Sequence, residues 1–353
     1  MLDITIVVLH ILEILFLQDK SMFIKRFTDE QARVLINLDQ HYETWMEAAR
    51  ELAGMPYGMK WAERNGTEYL DEVINRRGNA KSLGRRTPET EAIFSDYSTR
   101  KEALQARIAS SRETLAATSA LYRALKLPVM PSEAARILRE ADLRGMLGRD
   151  LIVVGTIAMP AYSIEAGGII REAPDTTDDF DLTWVADEPR PEARIMAMLK
   201  AVDSTYTVNT ERTFQARNAK AFEVEILASP TTVRTMQRGD QPAPIPLPEQ
   251  EWLLPGRRVS HTVVANDGSP ARLVAPDPRW FALLKLWLSE KDGRNPLKKP
   301  KDAAQGLALL NAVAAHMPHY PVGQDFADSL PGELLEFFDR WRSEFKGAAS
   351  PAW

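Results

Sequence analysis

The chain has 353 residues, 44% hydrophobic and 26% charged, long enough for two or three compact units with at least one full hydrophobic core. A formal net charge of −5 argues against a general electrostatic grip on nucleic acid while leaving room for a local basic patch. Cysteine is absent, which excludes disulfides and thiolate sites, and the five histidines have no zinc-motif spacing, so metal chemistry would have to run on carboxylates, which suit magnesium or manganese.

Residues 4–17 read ITIVVLHILEILFL, an apolar run that is short for a membrane span and carries His10 and Glu13. No basic segment precedes it and no small-residue cleavage site follows. Residues 1–21 are read as an extension from a misassigned start ahead of Met22, with an amphipathic or signal-like helix as the alternative. The expectation is a cytoplasmic protein without a membrane partner.

Residues 22–130 read as a helical N-terminal region. Leu35, Leu38, Tyr42, Trp45 and Ala49 recur at helical spacing within 27–75. A turn-rich stretch, 76–88, precedes a long polar helix over about 89–125 that stops ahead of Pro128 and Pro131. Residues 131–235 read as a compact α/β core. Ser132 is placed to cap a helix bearing Ala135, Ile137 and Leu138. Strands follow at 151–154, 180–185, 206–208 and 221–227, with helices at 157–164 and 191–201 and a loop over 165–178. In residues 236–353 a proline-rich connector leads to two β-type runs flanking Asn266-Asp267-Gly268, a hairpin signal, and then to helices from Pro278 onward.

The strongest chemical constellation is Gly155-Thr156, Asp179-Phe180-Asp181 and Glu225. Alternation along a strand sends Asp179 and Asp181 to one face and Phe180 to the other. Adjacent carboxylates repel unless a cation lies between them, and magnesium takes oxygen ligands while keeping waters that a phosphate can displace. Glu225 sits between Val224 and Ile226, and if its strand lies beside the Asp strand three carboxylates converge as two-metal phosphoryl transfer requires. Glu223 shares a face with Glu225 and is the alternative third acid. The bland alternative puts Asp179 and Asp181 in solvent on an edge strand.

The segments VVGTIAMPAYSIEAG, TTDDFDLTW and FEVEIL together resemble the signature of the DNA polymerase β superfamily of nucleotidyltransferases. Trp61, Tyr69-Leu70 and KSLGRRTPET at 81–90 resemble a bacterial branch of nucleotidyltransferases. The resemblance spans roughly 60–305. It implies that Gly155 and Thr156 touch the nucleoside triphosphate and that Asp179, Asp181 and Glu225 bind magnesium or manganese. It also implies that C-terminal helices supply cations to the phosphates. Lys285, in the apolar run WFALLKLWL, and Lys301 are the candidates, with a solvated charge run as the alternative. Three departures stand out: Thr156 replaces Ser or Gly, the gap before Asp179 is long, and Glu225 replaces Asp.

Lys81, Ser82, Arg85 and Arg86 form a basic stretch that brushes against a phosphate-loop pattern, but Ala80 stands where that motif needs Gly. The stretch is read as a lid or acceptor-holding loop, or else as a structural turn. The expected fold is α+β, a polymerase β-like core with a small mixed sheet flanked by helical N- and C-terminal regions. The expected reaction transfers a nucleoside monophosphate from an NTP to a hydroxyl acceptor and releases pyrophosphate. RNA is the favoured acceptor and a protein or small molecule the alternative. The rivals are a non-catalytic nucleotide- or partner-binding module and an RNA-binding protein without chemistry.

Overall fold

A computed structural model describes residues 23–75, 77–173, 179–236 and 238–345, with the Asp179 side chain outside the described set. The chain divides into two compact units, residues 37–120 and residues 1–36 with 121–353. Among the described residues no helix is long and apolar enough to cross a membrane. The extension expected at 1–21 lies outside the described residues.

Within 37–120 the helices are segments of Asp29–Gly54 and Pro88–Ala124, joined by a 3-stranded antiparallel sheet of Gly58–Arg64, Thr67–Val73 and Ala80–Arg85. The helical reading of 27–75 therefore holds only to Gly54. What overrides it is Asn65-Gly66, both at positive φ (51° and 71°), the backbone that closes a two-residue hairpin. The basic stretch at 81–86 is correspondingly not a loop: Ala80–Arg85 is a strand. Trp61 packs on Phe94 of the long helix with ring centroids 5.8 Å apart, and Tyr97 donates to the Pro56 carbonyl at 3.2 Å.

The larger unit is built on a mixed sheet in the order Leu151–Val154, Asp179–Trp184, Glu223–Ala228, Gln215–Arg217, Thr207–Val208. Asp179–Trp184 and Glu223–Ala228 are parallel; Leu151–Val154 and Gln215–Arg217 join antiparallel on either side. Phe180, Leu182 and Trp184, with Val224, Ile226 and Ala228, are at most 1% exposed and enter the core. Alternation leaves the acidic positions of both strands on the opposite face. The expected hairpin is present as Val259–Ala265 with Pro270–Ala275, and Ala265 continues the ladder to Met130 on a strand that the sequence reading did not foresee. The loop expected over 165–178 contains a short strand, Gly168–Ile170, paired with Ile24–Arg26.

Ser132 is the first residue of its helix and not its cap. Pro131 takes the N-cap position, and the Ser132 hydroxyl accepts from the Asp267 backbone amide at 3.1 Å. In the last part of the chain, Pro278–Glu290 starts on Asp277, whose carboxylate accepts from the Arg279 amide at 3.0 Å. This helix lies against Lys299–His316 so tightly that a Cβ on Gly306 would stand 2.7 Å from the Ala282 carbonyl oxygen.

Candidate active site

The strand Leu151–Val154 ends at Gly155, whose φ of 74° and ψ of −163° suit glycine and turn the chain into the 3-10 segment Thr156–Ala158 and the helix Met159–Glu165. The same glycine makes room for a carboxylate: a Cβ there would lie 2.5 Å from Asp181 Oδ2. Val154 is the cross-strand partner of Asp181, so the glycine turn and the aspartate are neighbours by backbone register.

On the other side of Asp181 stands Glu225, directly in register, and Asp179 is in register with Glu223. Positions 179, 181, 223 and 225 thus form a two-by-two block on one sheet face. The two glutamates share one donor. Glu223 is engaged at both oxygens, by the Arg217 guanidinium and by Gln215 Nε2 at 2.8 Å. Glu225 receives the same Gln215 amide at 3.2 Å. Gln215 is 1% exposed and is itself oriented by Asn209, which donates to its Oε1 at 2.7 Å.

Thr156 is buried, and its hydroxyl accepts from Gln305 Nε2 at 3.3 Å. Gln305 lies on Lys299–His316 three residues beyond Asp302, about 4.5 Å along the axis. Asp302 is where Lys285 ends: the ammonium donates to Asp302 Oδ1 at 2.8 Å, and Arg294 takes Oδ2 at 2.6 Å. The lysine in the apolar helix meets an anion, and that anion belongs to the chain. Lys301 is half-buried beside Asp302.

The sequence model of the nucleotidyltransferase family matches residues 132–331. The chain belongs to that family. This nucleotidyltransferase finds no match among curated proteins or among solved structures. The matched span contains Gly155, Thr156, Asp179, Asp181, Glu225, Lys285 and Lys301, whereas Lys81, Ser82, Arg85 and Arg86 lie before it, in the other unit.

Sequence reading missed Gln215, Arg217 and Gln305. The strand Gln215–Arg217 has a single apolar residue between two polar ones, too short for a periodicity signal. Gln305 reads as one polar position in an apolar helix until its partner, 149 residues earlier in the chain, is known.

The acidic positions on this nucleotidyltransferase's sheet face offer carboxylate oxygens, the donor type that a hard divalent cation takes. The Asp179 side chain lies outside the described residues, and among those described no group of three acid or imidazole side chains is arranged to hold a metal ion.

Proposed function

We propose that the chain transfers a nucleoside monophosphate from an NTP to a hydroxyl of an RNA acceptor, on a core of the DNA polymerase β type. The observation that carries this reading is the register Val154–Asp181–Glu225, with the Gly155 turn closing over the Asp181 carboxylate. Asp179, Asp181 and Glu225 would hold magnesium or manganese. When bound, the metal neutralises phosphate charge and lowers the pKa of the attacking hydroxyl.

In the reaction the acceptor oxygen forms a bond to the α-phosphorus, the bond from that phosphorus to the bridging oxygen breaks, and pyrophosphate leaves. The acceptor proton passes to solvent or to a carboxylate. Asp181 and Glu225 orient the reacting groups. Gln215 fixes the glutamate pair, Arg217 pairs with Glu223, and Glu225, in register with Asp181, is read as the third acid. Gly155 and Thr156, at the strand end, would touch the triphosphate. The Lys285–Asp302–Arg294 cluster, one helical turn from the Thr156 contact, carries two cations against one anion and would offset remaining phosphate charge.

Incubation with each labelled NTP, magnesium or manganese, and total RNA or protein tests the proposal. Label in RNA with release of pyrophosphate is the expected result. Label in protein alone would move the acceptor to a side chain. NTP binding without label transfer would point to the non-catalytic module.

A further inference from the structure

The basic stretch at 81–86 is divided between two faces of its sheet. Lys81 is in register with Glu72, and Gly84 with Leu70, on the face that Trp61 turns toward the helices. Arg86, just beyond the strand, is spent on that side: it pairs with Glu68 and Glu91, both at 2.7 Å, and lies over the Trp61 ring. A register shift between Leu70 and Asp71, where Gly84 has φ 132°, brings Ser82 and Arg85 to the opposite face, in register with Asp71 and Tyr69.

That outer face reads Lys60, Asp71, Ser82 across one row and Ala62, Tyr69, Arg85 across the next. Arg64 is tethered to Asp71 and lies 5.4 Å from the Tyr69 ring centroid; Arg85 Nε donates to the Tyr69 hydroxyl at 3.2 Å. Asp71 is the face's acid, and Arg64 neutralises it. Lys60 is exposed and has no ion-pair partner among the described residues. The face therefore presents the Arg64 guanidinium lying over the half-buried Tyr69 ring, flanked by Lys60 and Arg85, neither of them ion-paired among the described residues. Bases stack on such rings and guanidinium planes, while lysine and arginine track the phosphates.

We propose that this face binds a single-stranded segment of the RNA acceptor. The inference rests on the acceptor reading given above, and it commits to one strand because three sheet strands span only about 10 Å.

The test uses the full chain, a fluorescein-labelled 12-nucleotide uridine RNA and fluorescence anisotropy at several salt concentrations. Wild type should bind the RNA more tightly than the same RNA annealed to its complement and more tightly than polyglutamate. Tyr69→Leu should weaken binding by about fivefold or more, the low end of base stacking. Lys60→Glu with Arg85→Glu should weaken it at least tenfold and make the salt slope shallower by about 1.4, 0.7 for each lost cation. Melting by circular dichroism checks that the variants fold, and calorimetry with NTP should give wild-type affinity in each. Equal RNA binding by folded variants, or equal binding of duplex or polyglutamate, would overturn the proposal. RNA binding that fails in the variants while even the wild type takes no NTP would retire the transferase reading and leave the surface standing.

Discussion

At the scale of single residues, Asp181 and Gly155 act as one device. If Asp181 holds metal as proposed, Asp181→Ala should reduce transfer by about 100-fold or more, since a metal ligand carries several kcal/mol of transition-state stabilisation. Its melting temperature, measured alongside, separates lost chemistry from lost fold. Transfer at wild-type rate in an Asp181→Ala, Glu225→Ala double variant would end the two-metal reading. Gly155→Ala should behave differently. The backbone there is costly for any residue with a Cβ, and that Cβ would stand 2.5 Å from Asp181 Oδ2. A loss of about 1–3 kcal/mol in denaturant unfolding is expected together with lost transfer. Gln215 positions the glutamates without being placed to touch substrate. Gln215→Leu should lower transfer while Gln215→Asn retains part of it, and the variants' metal affinity, followed by calorimetry with manganese, should change in the same order.

At the scale of elements, the helix pair Pro278–Glu290 and Lys299–His316 decides what Lys285 does. A Lys285 that served only the phosphates would make Lys285→Ala weaken NTP use far more than it lowers stability. The buried pair with Asp302, side chains 7% and 3% exposed, changes that expectation. Removing the lysine leaves a buried carboxylate with Arg294 alone, which should cost about 3 kcal/mol in thermal or denaturant unfolding. Lys285→Met combined with Asp302→Asn should recover much of that loss, because the buried carboxylate and ammonium are both gone and the Arg294 guanidinium, 28% exposed, can turn to solvent. If the double variant regains stability and still binds NTP weakly, the cation serves the phosphates as well.

At the scale of the whole molecule, Glu165 joins segments far apart in sequence. It ends the helix Met159–Glu165, and its two oxygens meet His261 Nε2 at 2.5 Å and His319 Nε2 at 2.6 Å. Burial pushes its carboxyl up, but the hydrogen bonds from His261 and then His319 outweigh it and hold the pKa down from 4.5 to about 2. A depressed carboxylate stabilises the fold above its unfolded pKa and loses that contribution as pH falls through the folded one. Stability should therefore decline between about pH 4.5 and pH 2, by up to roughly 3 kcal/mol from this group. Glu165→Gln should unfold more easily at pH 6 and differ little from wild type near pH 2. A constant difference across that range would show that Glu165 does not carry the acid sensitivity.

What the sequence by itself determined was local. Strand alternation placed Asp179 with Asp181 and Glu223 with Glu225, and the apolar runs around them announced a buried sheet. The hairpin at 266–268 and the long helix Pro88–Ala124 were legible from turn chemistry and proline positions. Even the hairpin at Asn65-Gly66 was announced by its dipeptide, although a helical periodicity further upstream masked it. Tertiary structure alone decided the rest. Only pairing could put Asp181 beside Glu225, set Gln215 across both glutamates, or choose Asp302 as the anion for Lys285. The physical reason is that alternation and turn preference act over a few residues. Which strands are neighbours, and which buried charge meets which partner, depends on contacts between residues far apart in the chain, and their energies exist only once the core has formed.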